Sequence, residues 1–318
     1  MRNLHPDTRE TLSMLGFLAL VLAGFAAFAP QVLGPVALRS MAFQLPELGL
    51  LTLAMFIPIV AGGLNLAVTY TANAAGLIAA VLMTQVMPDA GGAGIALAMI
   101  AALLAGAAIG AAIGAMIAWV EAHPILVTLG AMILLRGVGE FATRGGDISG
   151  MPPVLEVVGH GSLLGLPVPL LIFAAAVALW VWIMRYTRLG YRIHMVGSNP
   201  AAATFSGIDT RRVLVAVYAL SGFMAALAGL MMLARFNSVR VGHGESYLLM
   251  TILACFLAGA DPFGGFGRVV PLAIALVSLQ LIASGMNVLG ANQHLVTAVW
   301  GGFLIIVMIG RTSLLRRR

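Results

Sequence analysis

Apolar residues along this chain come in long runs, and short breaks rich in Gly, Pro or charged residues separate one run from the next. A run of about 20 apolar residues is long enough to cross the hydrocarbon layer of a membrane as an α-helix. The runs predict ten spans, at about 11–29, 45–61, 65–84, 95–119, 125–143, 168–185, 213–233, 247–260, 269–286 and 295–310. Only residues 62–65 separate the second span from the third, so one of these two is expected to be bent or broken. The eighth span is short enough to be re-entrant.

Composition adds that little of the chain can lie in water. Of its 318 residues, 61% are apolar and 9% are charged, whereas soluble domains carry about 25% charged residues. We therefore predict an all-α integral membrane protein, a polytopic bundle of about ten transmembrane helices that forms one domain over residues 1–318. The first span lacks a small-residue cleavage site and is expected to be retained. The lone Cys255 excludes a disulfide framework and a multi-cysteine metal site.

Positive charge is distributed unevenly between the two sets of loops. All 17 basic residues are Arg, and cytoplasmic loops of membrane proteins are enriched in basic residues. If the N-terminus lies inside, twelve arginines fall on the inner side and four on the outer side, with Arg136 at membrane depth. The net charge of +6 thus reflects topology and does not indicate nucleic acid as a partner. We predict a multi-pass protein of a bacterial inner (plasma) membrane with both termini in the cytoplasm.

The order of the spans suggests an internal symmetry. Spans two to five and spans seven to ten are two sets of four that start from opposite sides of the membrane. Inverted repeats of this kind occur in many transporter folds. Because no convincing sequence identity relates the two sets, the inverted repeat is a hypothesis.

The longest inner loop, residues 186–212, contains a small polar segment between flanking arginines. In its stretch "NPAAATFSGI", Asn199 can cap a helix and Pro200 suits the first turn. Gly207 can end the helix. We predict a short helix that fits a groove on a soluble partner; the alternative is a solvated connector.

Several motifs resemble those of one transporter family. "GSNPAAATFSGIDTRRV" followed by "YALSGFMAALAGLM" resembles the cytoplasmic loop and next span of ribose-type (carbohydrate) ABC importer permeases. "AGGLNLAVTYTANAAGLIAAV", "HPILVTLGAMILLRGVG" and "GHGESYLLMTILACFLAGADPFGGFGR" match other segments of that family in order and spacing. The resemblance covers residues 45–310.

The resemblance implies a type II-like ABC importer permease that takes up a sugar, polyol or similar small hydroxylated solute by alternating access. It implies a second permease copy or homologue, a solute-binding protein outside, and an ATPase inside that binds ATP and Mg, while this chain binds no cofactor. The inner loop would be the coupling helix that seats on the ATPase. Its family-matching positions are Gly197, Asn199, Pro200, Ala201, Ala202, Gly207 and Ile208. Asn65 replaces the usual family Asp, and "SYLLMTILA" lacks the family's acidic residues, which indicates a divergent branch.

Two polar stripes within the spans are candidates for the solute path. Asn65, Thr69 and Asn73 share one helix face with Tyr70 beside them, and Gln280, Ser284 and Asn287 form a second stripe. Uncharged hydrogen-bonding groups suit a neutral hydroxylated solute; the alternative is that they join helices to one another. Arg136 either lines the path or simply pairs with Glu140, one helical turn away.

A third pattern is architectural. Gly106, Gly110 and Gly114 recur every four residues, and small residues at this spacing let helices approach closely. We expect this helix to be buried in the bundle or to meet a second subunit.

Other classes of protein fit the residues less well. The scattered histidines and the glycines after Asp261 form no metal, nucleotide or catalytic constellation, which argues against a membrane enzyme. An ion-coupled secondary transporter would need acidic residues deep in several spans, and Glu140 is the only candidate that the pattern offers. An ABC permease for a nucleoside or a branched-chain amino acid remains the alternative solute class.

Overall fold

The computed structural model describes residues 6–88 and 91–315, and within these ranges the chain is almost entirely helical. The helices are α1 (Pro6–Phe28), α2 (Pro35–Val60), α3 (Val68–Val81), α4 (Gly91–Val120), α5 (Pro124–Thr143), α6 (Val154–His160), α7 (Val168–Tyr186), α8 (Arg188–Ser198), α9 (Pro200–Phe205), α10 (Thr210–Phe236), α11 (Tyr247–Leu257), α12 (Val269–Val288) and α13 (Gln293–Leu315). Four two-residue strands form two antiparallel pairs: β1 (Ile148–Ser149) with the distant β4 (Ser238–Val239), and β2 (Ser162–Leu163) with β3 (Leu166–Pro167) in a tight hairpin. The predicted all-α class is confirmed.

Seven of the described helices, α1, α2, α4, α5, α7, α10 and α12, are long and apolar enough to cross a membrane. The other three predicted spans correspond to α3, α11 and α13. Helix α3 continues directly into a π-helical segment, Leu82–Val86, so the continuous helix is longer than its α-helical part. The 11 residues of α11 rise only about 17 Å, at 1.5 Å per residue, so α11 does not cross a full hydrocarbon layer alone. The expected break between the second and third spans lies at residues 61–67, between α2 and α3.

Helix α2 lies at the centre of the bundle, and from Leu45 to Val60 it is apolar except for Glu47 and Thr52, which is close to the pattern of a fully buried helix. Nearly all of its residues from Leu45 to Val60 are buried. Phe173 of α7 packs directly against Gly49, and Trp180 of the same helix donates through Nε1 to the carbonyl oxygen of Leu53 at 3.2 Å. The core is therefore organised around a single helix that most other helices contact.

The glycine stripe of α4 packs inside the bundle. A side chain on Gly110 would overlap the carbonyl oxygen of Tyr218, and one on Gly222 would overlap that of Gly106. The two backbones of α4 and α10 thus touch through their glycines. Of the two expectations for this stripe, burial within the bundle is the one that the fold shows.

Helix packing follows the order that an inverted repeat would produce. Helix α10 packs on α3 and α4, and α2 packs on α11 and α12. The repeat places α2 opposite α10 and the short α3 opposite the short α11, so these pairs are equivalent under it. The repeat itself remains a prediction.

The bundle has two ends that matter for function. The α8–α9 end comprises α8, α9 and the loop 258–268, with the ion pair between Arg268 and Glu10 (3.0 Å) nearby. The β1–β4 end comprises the two strands and the loop 240–246.

Candidate functional site

The α8–α9 end carries the short helix that the sequence predicts. The side chain of Asn199 accepts from the N–H of Ala202 at 3.0 Å, and Pro200 occupies the first helical position. The helix ends with Gly207 at φ +78°, where the N–H of Ile208 donates to the carbonyl oxygen of Ala203 at 3.0 Å. This closing bond is one of the pair that defines a Schellman motif. The predicted cap, first turn and terminator are confirmed.

Glycines join this segment to the broken region between α2 and α3. The N–H of Gly265 donates to the carbonyl oxygen of Val60 at 2.8 Å, and His194 on α8 bonds through Nδ1 to the carbonyl oxygen of Gly265 at 2.9 Å. Gly264 has φ +94°, and a side chain there would overlap the backbones of Gly62 and Gly197. Three chain segments therefore meet backbone to backbone. Helix α8 is thereby connected to the end of α2 through the loop 258–268.

Phe205 is a residue of this segment that the sequence reasoning did not single out. It is 94% exposed at the end of α9, while Ala203 is the one buried residue of that helix. Phe28, Phe141 and Phe263 are exposed to a similar degree elsewhere, so what distinguishes Phe205 is its position on the capped helix of the inner loop. Its signal in the sequence is an aromatic residue in an otherwise small and polar helix.

A polar cleft lies at the β1–β4 end. Its volume is about 490 Å³, and its lining residues are Glu140, Thr143, Gly145, Arg240, Val241, Gly242 and Glu245. Beside it, Arg136 pairs with Glu140 at 2.9 Å, as their spacing predicts, and approaches Glu245 at 3.8 Å. Tyr70 lies within the electrostatic reach of the same three side chains. Arg136 and Tyr70 thus come together across two different helices.

Asn73 connects α3 to the loop that borders this cleft. With its amide turned so that donor meets acceptor, Asn73 donates to the carbonyl oxygen of His243 and accepts from the N–H of Gly242, both at 3.1 Å. The pKa of His243 is lowered, first by burial and then by Arg240, while Asp147 opposes the shift. The neutral form of His243 is therefore the one that the folded loop favours.

The prediction that Asn65 shares a helix face with Thr69 and Asn73 is wrong, because α3 begins at Val68 and Asn65 lies in the turn before it. Asn65 donates to the hydroxyl oxygen of Ser221 at 2.9 Å, and Ser221 donates to the carbonyl oxygen of Ala54 at 2.7 Å. Asn65 also accepts from the N–H of Ala67 at 3.1 Å, which holds the turn that starts α3. The buried hydroxyl of Thr69 has no hydrogen-bond partner among the described residues.

The second stripe is separate from the first. Gln280 donates to Gln44 on α2 at 3.2 Å and to Ser284 within α12 at 3.1 Å, so Gln280 alone joins α12 to α2. Asn287 lies in the exposed last turn of α12. The two stripes therefore do not meet within one chain. Their roles in the solute path stay predictions.

A buried ion pair was missed by the sequence reasoning. Arg235 Nε lies 2.6 Å from Glu47 Oε1, with the Glu47 side chain fully buried and Tyr247 beside it. The expectation that Glu140 is the only acid deep in the spans is wrong: Glu47 is buried, and the Glu140 side chain is 48% exposed. A neutralised pair of this kind supplies no free carboxylate for an ion-coupled mechanism.

Across residues 6–88 and 91–315, no group of three or more His, Cys, Asp or Glu side chains is placed to hold a metal ion. The expectation that this chain has no metal site and no catalytic residues remains a prediction.

Comparison with known proteins decides the family. The model of the family described as "Branched-chain amino acid transport system / permease component" matches residues 37–309. The chain belongs to this family. Among curated proteins, this permease is 29% identical over 314 residues to the autoinducer 2 import system permease protein LsrD of Escherichia coli (strain K12), with 96% of this chain and 93% of the relative covered. The protein of the same name from Shigella flexneri shows the same identity and coverage. No solved structure matches the chain significantly.

These matches confirm the resemblance to sugar-type ABC importer permeases. The permease is accordingly a multi-pass membrane protein of a transport system, and its family implies an ATPase and a periplasmic binding protein as kinds of partner.

Proposed function

We propose that this permease is the membrane-spanning subunit of an ATP-driven importer and that α9 is the helix through which its ATPase acts. The observation that carries this proposal is the capped α9 with Phe205 exposed at its end. ATP and Mg belong to the partner ATPase, and this chain hydrolyses nothing. The positions from Gly197 to Ile208 that match the family motif form or flank the docking helix.

The mechanism is alternating access driven through backbone contacts. Closure of the ATPases displaces α8 and α9, and the bond from Gly265 to Val60 carries that displacement to the end of α2. Because α2 and α3 are joined there by a short break, the two helices can move separately. Asn65, bonded to Ser221 on α10, links that break to the helix that follows the docking loop.

The polar cleft at the opposite end is the proposed outer part of the solute path. Asn73 bonds to Gly242, which lines the cleft. Arg136 beside the cleft faces two carboxylates, Glu140 and Glu245. Because this arginine is already paired and uncharged hydrogen-bonding groups lie nearby, the cleft suits a neutral hydroxylated solute. Autoinducer 2 is the first solute to test because the relatives are named for its import; ribose, a nucleoside and leucine test the other classes.

The exposed face of α5 supports a second copy or a water-filled path beside it. Arg136 and Glu140 lie on this helix together with the exposed Ile133 and Leu134. Charged side chains at membrane depth are expensive against lipid and normally face protein or water. We propose that two permease copies, or this chain and a homologue, enclose the solute path along this face.

The docking proposal is tested by ATPase stimulation in lipid. The permease is reconstituted with the ATPase subunit of a related autoinducer 2 importer, and Phe205→Ala is compared with Phe28→Ala, an equally exposed phenylalanine at the other end of the bundle. Phe205→Ala should lower copurification and stimulation about tenfold or more, as loss of an interface anchor does, while Phe28→Ala should change neither. Equal behaviour of the two variants would refute the docking role of α9.

Orientation is tested separately. We propose that both termini and α9 lie in the cytoplasm of a bacterial inner membrane. Cys255 is fully buried, so single cysteines placed at the exposed Glu156 and Ser206 can be labelled cleanly. A membrane-impermeant maleimide should label Glu156→Cys but not Ser206→Cys in intact spheroplasts; the reverse pattern would invert the topology.

A further inference from the structure

A second cleft lies where α7 ends and α8 begins, away from α9. Its volume is about 570 Å³, and it is lined by Arg185, Tyr186, Thr187, Arg188, Tyr191, Arg192 and Ile208. Three of these seven side chains are cationic and two are phenolic. Of its lining residues, only Ile208, which follows α9, belongs to the docking segment, and the solute path uses none of them.

The arginines of the cleft differ from their neighbours at the same end. Arg211 and Arg212 pair with Glu121 at 3.3 Å and with Asp209 at 2.9 Å. In the part of the chain that the structure describes, no carboxylate lies within ion-pair distance of the three cleft arginines. Arg185 instead lies over the ring of Tyr186, 5.6 Å from its centre.

The backbone adds to this positive charge. Arg188 is the first residue of α8, at the positive end of the helix dipole, where a cation is unfavourable and an anion is stabilised. Arg185 lies in the last turn of α7, where the negative end of that helix dipole favours a cation. Arg188 and Arg192 on α8 have no such compensation from their own helix, and among the described residues no carboxylate pairs with any of the three arginines. An anion in the cleft would relieve this repulsion.

The position of the cleft indicates which anion. Helix α7 is a predicted span whose outer face exposes Leu179 and Trp182, so this face borders lipid. The helix ends at Tyr186, and exposed aromatic rings there and at Tyr191 are typical of the boundary between hydrocarbon and headgroups. Lipid phosphate is abundant at that level.

We propose that this cleft binds the phosphate of an anionic phospholipid headgroup. The planar guanidinium groups of Arg185, Arg188 and Arg192 can each donate two parallel hydrogen bonds to phosphate oxygens. Tyr186 and Tyr191 can pack on the glycerol and start of the acyl chains with their hydroxyls toward the headgroup. Basic pockets at the cytoplasmic ends of spans bind lipids in this way.

The test measures lipid retention by native mass spectrometry on the full-length permease. Detergent-purified protein is titrated with phosphatidylglycerol or with phosphatidylcholine. The variant Arg185→Gln/Arg188→Gln/Arg192→Gln is compared with Arg211→Gln/Arg212→Gln, which also loses arginines from this end. Each arginine near an anionic surface contributes about fivefold in affinity, so the triple variant should bind phosphatidylglycerol about 100-fold more weakly. The control should bind as the wild type does, and phosphatidylcholine should bind weakly to all three proteins.

Three outcomes would overturn the proposal. One is equal phosphatidylglycerol affinity in the triple variant and the wild type. Another is displacement of the lipid by millimolar inorganic phosphate, which would make the cleft a site for free anions. The third is unchanged lipid binding with loss of ATPase copurification, which would assign the cleft to an acidic protein surface. The three single variants, each expected to lose about fivefold, keep the test valid if the triple variant is unstable.

Discussion

Separating the buried pair of Glu47 and Arg235 should destabilise the bundle far more than separating the pair of Arg136 and Glu140. Both pairs are close, at 2.6 and 2.9 Å, but their surroundings differ. The Glu47 side chain is fully buried and that of Arg235 is 16% exposed, whereas both members of the second pair are about half exposed.

The magnitude follows from burial. Two charges 2.6 Å apart attract by about 6 kcal/mol at an effective dielectric constant of about 20. Desolvation costs several kcal/mol per ion, so the intact pair contributes little net stability. Removing one partner leaves a buried charge without compensation, which costs about 3–5 kcal/mol. Replacing both partners by methionine removes both charges and should cost much less than the two single changes added together.

The assay is a double-mutant cycle on the free energy of unfolding in mixed micelles titrated with SDS. Glu47→Met and Arg235→Met are each expected to lose about 3–5 kcal/mol. The double variant should lose less stability than the sum of the two single losses, with a coupling energy above about 2 kcal/mol. Arg235 also contacts the ring of Phe236, and this contact is lost whether Arg235 is replaced beside Glu47 or in the Glu47→Met background, so the cycle cancels it.

A cycle on Arg136→Met and Glu140→Met is the control, with an expected coupling of about 0–1 kcal/mol for an exposed helical pair. Additive losses at Glu47 and Arg235 would refute the reasoning, because they would mean that neither charge depends on the other. Equal couplings in the two cycles would refute it as well, since burial would then not be the deciding variable.

Three further predictions rest on other parts of the fold. Gly110→Val should push α4 away from α10, because the new side chain would overlap the carbonyl oxygen of Tyr218. We expect it to lower the thermal midpoint strongly in a detergent melting assay. Gly130→Val is the control and should not lower the midpoint, because Gly130 has open space around it. Asn199→Ala removes the cap of α9 and should cost about 1 kcal/mol locally; faster amide hydrogen exchange in α9 would show it, and unchanged exchange would contradict it. Because the folded pKa of His243 lies below its ordinary 6.5, stability is retained above that value and is lost as the pH falls through the lowered pKa. Melting curves from pH 7.5 to 4.5 should show this loss, and His243→Gln should reduce it; an identical pH profile in the variant would exclude His243 as its source.

Much of the local structure was determined by the sequence alone. Asn199, Pro200 and Gly207 specify the ends of α9 because a cap, a fixed φ and a left-handed residue act within one turn of the chain. The largely apolar character of residues 45–61 likewise predicted a span, and the fold shows it as part of the central helix. The glycines of α4 predicted a close helix crossing because their four-residue spacing places them on one helix face.

The partners across the bundle were decided only by the tertiary structure. Glu47 lies in the middle of α2 and Arg235 in the last turn of α10, and nothing local to either residue indicates the other. Asn65 bonds to Ser221 and Gln280 bonds to Gln44, so each of the two polar stripes makes its own connection between helices. The physical reason is that lipid and the protein interior are equally apolar, so the hydrophobic pattern of a transmembrane helix does not specify which of its faces turns toward the protein. Only packing against its neighbours sets which face turns inward, and with it which polar groups meet.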